Sequence, residues 1–181
     1  MGEPIIIVPY NPGWPATFAE YGRALRGALG QQAVRLDHIG STAVPGLAAK
    51  PIIDIQVSVR ALEPMDAYQP ALTAYGLQWR ADNPDRTRRY FRELPGMPRT
   101  HLHVRRAGSW GEQFALLFRD YLRCHPEAAE RYAQAKQHLA QLCHADRAGY
   151  VAAKEPIIWD IMHHADQWAC TVGWEPPPSD W

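Results

Sequence analysis

Cysteine is scarce in this chain. The 181 residues contain three, Cys124, Cys143 and Cys170, an odd number, widely spaced and without a Cys-x-x-Cys pair. That argues against a disulfide framework or a zinc cage and fits a reducing cytoplasm. Net charge is absent as well: 19 basic residues offset 19 acidic ones. The molecule therefore lacks an overall field that would draw it to nucleic acid or an anionic membrane, and any anion binding must be local. No apolar run approaches the ~20 residues of a membrane span. The start, Met1-Gly2-Glu3-Pro4, has neither the basic nor the apolar region of a signal peptide. There is no internal repeat and no low-complexity tract. The expectation is a soluble cytoplasmic protein with neither nucleic acid nor membrane as partner.

What is present suffices for one core. With 46% hydrophobic residues, the length fits a single domain, taken as residues 1–169, followed by a Pro/Trp-rich tail at residues 170–181. Asn11-Pro-Gly-Trp-Pro15 launches a helix from about Ala16 to Leu29, on which Phe18, Tyr21, Leu25 and Leu29 recur at helical spacing. Another helix is expected from Met65 to Tyr75, closed by Gly76. Residues 88–94 and 100–106 flank Pro95-Gly96-Met97-Pro98 as a hairpin. From Ser109 onward the pattern is helical, with Ser109 and Glu112 placed as a capping box and Asp146 as an N-cap. His125-Pro126 and Pro156 divide it into successive helices. Strands followed by clustered helices predict an α+β domain.

The segment His38-Ile-Gly-Ser-Thr-Ala-Val-Pro-Gly-Leu-Ala-Ala-Lys-Pro-Ile-Ile-Asp-Ile-Gln56 carries the most chemistry. A strand from Val34 enters Gly40-Ser41, where the glycine lets the backbone approach a ligand and the serine adds a hydroxyl. After Lys50-Pro51 comes a second strand, Ile52 to Val57. Alternation puts Asp54 and Gln56 on one face and Ile53, Ile55 and Val57 on the other. An acid among isoleucines requires a cation nearby. A salt bridge to Lys50 or Arg89 would supply it, and so would a metal. His101 and His103 alternate about Leu102 and point to one face, a geometry found in metal sites. On the hairpin, Arg88 and Arg92 share a face opposite Arg89. Arg89 and Arg105 are the expected bidentate clamps for an anionic ligand. Asp160 and His164, at i and i+4, could bind a metal but are the weaker pair, and Trp159 and Trp168 are expected in the core.

The same segment resembles the signature of the GrpB family. Val8-Pro-Tyr-Asn-Pro-Gly-Trp14, Thr100-His-Leu-His-Val104, Phe118-Arg-Asp-Tyr-Leu-Arg123 and Ala153-Lys154 fall in that family's order, over roughly residues 5 to 165. The resemblance implies a nucleotidyltransferase-like mixed sheet with a helical C-terminal half. In that superfamily a Gly-Ser turn precedes an Asp-x-Asp or Asp-x-Glu strand, and the acids hold two magnesium ions against a nucleoside triphosphate. Here the second acid is replaced by Gln56, a neutral amide that binds magnesium far less well.

The resulting expectation is a metal-dependent transfer of a nucleotidyl group from a nucleoside triphosphate to a small-molecule acceptor. Asp54, with His101 or His103, would hold the metal: magnesium or manganese, or zinc if the histidines complete the shell. Gly40, Ser41, Lys50, Arg89, Arg105 and Lys154 would meet phosphates, with Lys154 named through the resemblance. Asp54, Lys50 and His38 would act in catalysis, His38 as base or ligand. The aromatic tail would form a lid or the contact of a homodimer. Two alternatives stand beside this. One is a catalytically silent ligand-binding or accessory module of the same fold. The other is a His/Asp metal enzyme of small-molecule biosynthesis that does not use nucleotides.

Overall fold

The computed structural model describes residues 4–181. Helix α1, Trp14–Leu29, lies ahead of strand β1, Arg35–Ile39, and a 3-10 turn at Ser41–Ala43 leads on to β2, Ile53–Val59. A short α2, Gln69–Ala74, then β3, Leu77–Trp79, β4, Arg88–Glu93, and β5, Thr100–Arg106, complete the strand-rich half. The rest is helical: α3, Trp110–Cys124; α4, Pro126–Cys143; α5, Arg147–Ala153; and α6, Glu155–Val172. The sheet runs β1-β2-β5-β4-β3. Only β2 and β5 are parallel, and the other pairs are antiparallel. The protein is thus an α+β fold with a mixed five-stranded sheet and a helical C-terminal half, as expected.

The pleat assigns the two faces of the sheet. Leu36, Ile53, Ile55, Val57, Leu102, Val104 and Phe91 are buried together with Phe18, Tyr21 and Leu25 of α1. On the other face, Asp54 stands opposite His101, Gln56 opposite His103 and Ser58 opposite Arg105. Val44 and Leu47, from the loop before β2, bury against Tyr121, Tyr132 and Ile161 of the helical half. That loop therefore ties the sheet to the helices, and Asp54 sits where they meet.

Most predicted boundaries hold, for the reasons expected. Proline at the second position opens α6 after α5 ends at Ala153, Asp146 accepts a hydrogen bond from the Gly149 N–H at 2.9 Å, and Ser109 accepts from the Glu112 N–H. Three features differ. The expected helix at 65–75 is a 3-10 turn at Met65–Ala67 followed by the two-turn α2, because Pro70 fixes where the α-helix starts. The edge strand β3 was not anticipated; three residues are too few for a period to register. Helix α6 runs past Ala169 to Val172 and closes on Gly173, whose φ of 65° is the left-handed conformation of a C-terminal cap.

The tail that follows is neither lid nor loose end. The Leu36 N–H donates to Ser179 Oγ at 2.8 Å, the His38 N–H to Asp180 at 2.8 Å, and the Trp181 N–H to the Leu36 carbonyl at 3.2 Å. These bonds cover the open edge of β1, which would otherwise present unpaired backbone groups. Trp181 packs on the α1 core, and Trp174 joins the helical cluster and donates to Asp120. Among the described residues, no helix is long and apolar enough to cross a membrane.

Candidate active site

A cavity of about 450 Å³ opens between the Asp54 face of the sheet, the Ser41 turn and helices α4 and α5. Among the described residues Asp54 is its only carboxylate, and it faces five cationic side chains: Lys50, Arg88, Lys136, Arg147 and Lys154. Such an excess of one sign around a single acid gives the cavity a positive field, which would favour an anion.

Asp54 is fixed by its neighbours on β5. His101 Nδ1 lies 3.2 Å and His103 Nε2 3.5 Å from Asp54 Oδ1. Burial alone would raise the carboxyl pKa, but these two hydrogen bonds outweigh it and hold the group well below the usual carboxylate range. The other oxygen, Oδ2, lies so close to Gly40 that a Cβ there would come within 2.7 Å of it. Gly40, at φ 71°, thus has a second job beyond the turn: it makes room for the carboxylate.

The histidines join Asp54 through hydrogen bonds rather than as a ligand cluster. Arg88 donates to His103 Nδ1 at 2.8 Å. A guanidinium only donates, so His103 carries its proton on Nε2, towards Asp54. Burial, with Arg88 adding repulsion, lowers the His103 pKa to about 4, even though Asp54 favours the charged form. Ligation through Nε2 would require moving that proton to Nδ1, against Arg88. Among the described residues, no group of three or more His, Cys, Asp or Glu side chains is arranged to hold a metal ion. Tyr90 packs on both rings, with centroids 5.6 Å from His101 and 5.2 Å from His103.

The opposite wall is built of lysines. Lys136 is 3% exposed and donates to Ser41 Oγ at 2.9 Å and to the Ala48 carbonyl. Burial, with repulsion from Lys154, lowers its pKa to about 7. Lys50 and Lys154 both lie over the Tyr150 ring, their Nζ atoms 4.2 and 4.9 Å from its centroid. Burial, then repulsion from Lys154, Arg147 and Arg99, takes Lys50 down to about 8.

Of the residues expected from sequence, Ser41, Lys50, Asp54, His101, His103 and Lys154 meet in this cavity. Four are not on its lining: Gly40, which backs Asp54 from behind the turn, and His38, Arg89 and Arg105. His38 pairs with Ile55 across the ladder, so the pleat turns it to the α1 face, where it stacks on Phe18 at 4.7 Å and meets Thr42 Oγ1 at 3.0 Å. Burial pushes its pKa down to about 4. Arg89 also faces α1 and pairs with Glu63 at 2.7 Å. Arg105 is on the cavity side but lies under α3, beside Gly111. Asp160 is taken by Arg131 at 2.6 Å, and His164 donates to the Asp160 carbonyl. Trp159 is 55% exposed rather than core, whereas Trp168 packs in the helical cluster.

Lys136, Arg88 and Arg147 were missed. Lys136 had a signal: it continues the stripe of Ala129, Tyr132, Ala133 and Ala140, so a charge sits on the buried face of α4. Arg88 shares the face of Tyr90, which alternation already distinguished from that of Arg89.

Gln56 is not in the cavity. It is fully buried under α3, with its amide donating to the Glu112 carbonyl at 3.4 Å. Gln56→Glu is expected to lose about 3 kcal/mol of stability, because it buries a second acid beside Glu112 and opposite Asp37. Denaturant unfolding checks this, and a stable variant that gains magnesium binding would contradict it.

The family model described as GrpB protein matches residues 4–164. The UPF0157 protein PA4798 of Pseudomonas aeruginosa is 39% identical over 171 residues, spanning 89% of this chain and 67% of that protein. A protein of Mycolicibacterium paratuberculosis named dephospho-CoA kinase is 35% identical over 199 residues, spanning 96% of this chain and 49% of its own length. YqkA of Bacillus subtilis is also 35% identical, over 47% of its length. The chain thus spans about half the length of these last two relatives. The crystal structure of conserved protein GrpB from Enterococcus faecalis superposes with a TM-score of 0.80 at 35% identity, over 90% of this chain and 99% of that one. Cid1 in complex with its short product ApU superposes with a TM-score of 0.50 at 14% identity, over 74% of this chain and 43% of that one, a likeness of fold alone.

Proposed function

This chain belongs to the GrpB family, and from that premise we propose that it binds a nucleoside triphosphate by its phosphates and transfers the nucleotidyl group to a small acceptor. The observation that carries this reading is the set of five cations facing one carboxylate across the cavity. An acceptor oxygen would form a bond to the α-phosphorus as the bond to pyrophosphate breaks. Positioning and charge neutralisation dominate such chemistry.

One hard divalent cation fits the residues present, and two do not. Asp54 Oδ1 takes both histidine hydrogen bonds, leaving Oδ2 for an ion. Magnesium characteristically takes one or two carboxylates and completes its shell with phosphate oxygens and water. The second acid of the two-metal pattern is Gln56, which is buried elsewhere. When bound, the ion would neutralise charge on the phosphates. The chain does the rest: Lys50, Lys154 and Arg88 meet phosphate oxygens, Lys136 holds Ser41 in place, and His101 and His103 keep Asp54 ionised and oriented.

The lysines give the reading a pH signature. With Lys50 at about 8 and Lys136 at about 7, their charges are lost as pH rises through those values. An anion favours the protonated form, so triphosphate affinity is expected to fall about tenfold between pH 7 and pH 9.5, with proton uptake on binding at pH 8. Titration in buffers of different ionisation enthalpy measures both, and a flat profile would contradict the lysines' role.

The single carboxylate favours a second reading, a module that binds nucleotide without turning it over. Thermal shifts with four nucleoside triphosphates, with and without magnesium, test the binding common to both readings. Pyrophosphate release in the presence of acceptors separates them.

A further inference from the structure

Next to the cationic cavity lies a second, more open groove of about 530 Å³, and the two share Lys50, Ile52 and Arg147. Its walls are apolar: Ile5 and Ile6 from the N-terminal segment, Pro51 and Ile52 before β2, and Ala145 before α5. The segment is held in place by a hydrogen bond from the Ile5 N–H to the His144 carbonyl at 3.0 Å and by the pairing of Val8 with Ala49. Among the described residues, the polar side chains on its lining are the cations Lys50, Arg99 and Arg147, with Arg99 also pairing with Glu93 at 2.8 Å. No amide, hydroxyl or carboxylate side chain among the described residues lines it. Such a surface has little with which to read the hydrogen-bonding edge of a nucleobase, but it matches an apolar body ending in an anionic head.

We propose that this groove holds the acceptor, an amphipathic carboxylic acid whose hydrocarbon part lies on Ile6, Pro51 and Ile52 and whose carboxylate sits at the Lys50–Arg147 seam. The proposal rests on the transferase reading of the adjoining cavity, since that reading makes the groove's occupant an acceptor. The seam is the point at which the groove meets the phosphate-binding wall. An acid placed there brings its oxygen to the cavity, and its charge offsets the repulsion among Lys50, Lys154 and Arg147.

The test is calorimetric titration of the full chain with butyrate, hexanoate and octanoate, each below its micellar concentration, with octanamide as the uncharged control. Affinity is expected to rise with chain length, by up to roughly fourfold per methylene, and octanamide should bind at least tenfold more weakly than octanoate. Ile6→Ser changes an exposed side chain. It should weaken octanoate at least fivefold and leave nucleotide-induced thermal shifts unchanged. Absence of octanoate binding, or equal binding of octanamide, overturns the proposal. If Ile6→Ser weakens nucleotide as much as octanoate, the groove belongs to the donor and the acceptor assignment is overturned. Octanoate binding in a protein that binds no triphosphate supports the groove as an acid site and overturns the transferase reading alone.

Discussion

Asp54→Asn is expected to weaken magnesium-dependent triphosphate binding by about 100-fold or more, while leaving magnesium-independent binding and the fold largely intact. Even outer partners of metal ligands cost 10–100-fold when changed, and among the described residues Asp54 is the one carboxylate on the cavity wall. The amide oxygen of asparagine can still accept from His101 and His103, so the local hydrogen bonds persist while the anionic ligand is lost. The alternative role, an ion-pair partner for cavity cations, predicts something else: magnesium dependence unchanged and triphosphate affinity raised, because a competing anion has gone. Titrations of both proteins with and without magnesium distinguish the two.

Arg119→Met is expected to remove about 3–5 kcal/mol of stability, lowering the melting temperature by roughly 6–20 °C for a domain of this size. Arg119 is 0% exposed. It lies 2.7 Å from Asp120, 3.2 Å from Asp180 and 4.0 Å from Asp37, and it donates to the His38 carbonyl at 3.1 Å. Methionine fills much of the volume but leaves Asp37 to Arg35 and Asp120 to Arg123, so three acids lose the buried cation they share, which is what makes breaking such a network costly. Asp180 also ties the tail to β1 through the His38 N–H, so the variant should loosen the tail along with the core. Asp180→Asn, at an exposed position, should cost far less. An Arg119→Met protein that melts like the parent would show that the network contributes nothing.

Much of this molecule was legible because period and turn chemistry act locally. Alternation in Ile52 to Val57 separated Asp54 from the core-facing isoleucines, and Pro156 marked where α5 gives way to α6. His38 marks where alternation stops being enough: its ladder partner is Ile55, which puts it on the face turned away from Asp54, and that register is set by tertiary pairing, which one strand does not reveal. Arg105 shows the same limit. Its face is predictable, yet its distance from the site depends on how far along β5 helix α3 lies. The tail's path was invisible for a different reason: Ser179, Asp180 and Trp181 have no period, and their partners Leu36, His38 and Arg119 are distant in sequence. Lys136 was hidden by convention rather than by physics, since a lysine on the apolar stripe of α4 is itself a sign of a buried partner.

Calorimetric titration of the full chain with a nucleoside triphosphate and its di- and monophosphate, at fixed magnesium, tests the central claim most directly. The cationic cavity predicts affinity falling at least tenfold with each phosphate removed, and falling with added salt. Equal affinity across the three, or no binding of any triphosphate, would contradict it.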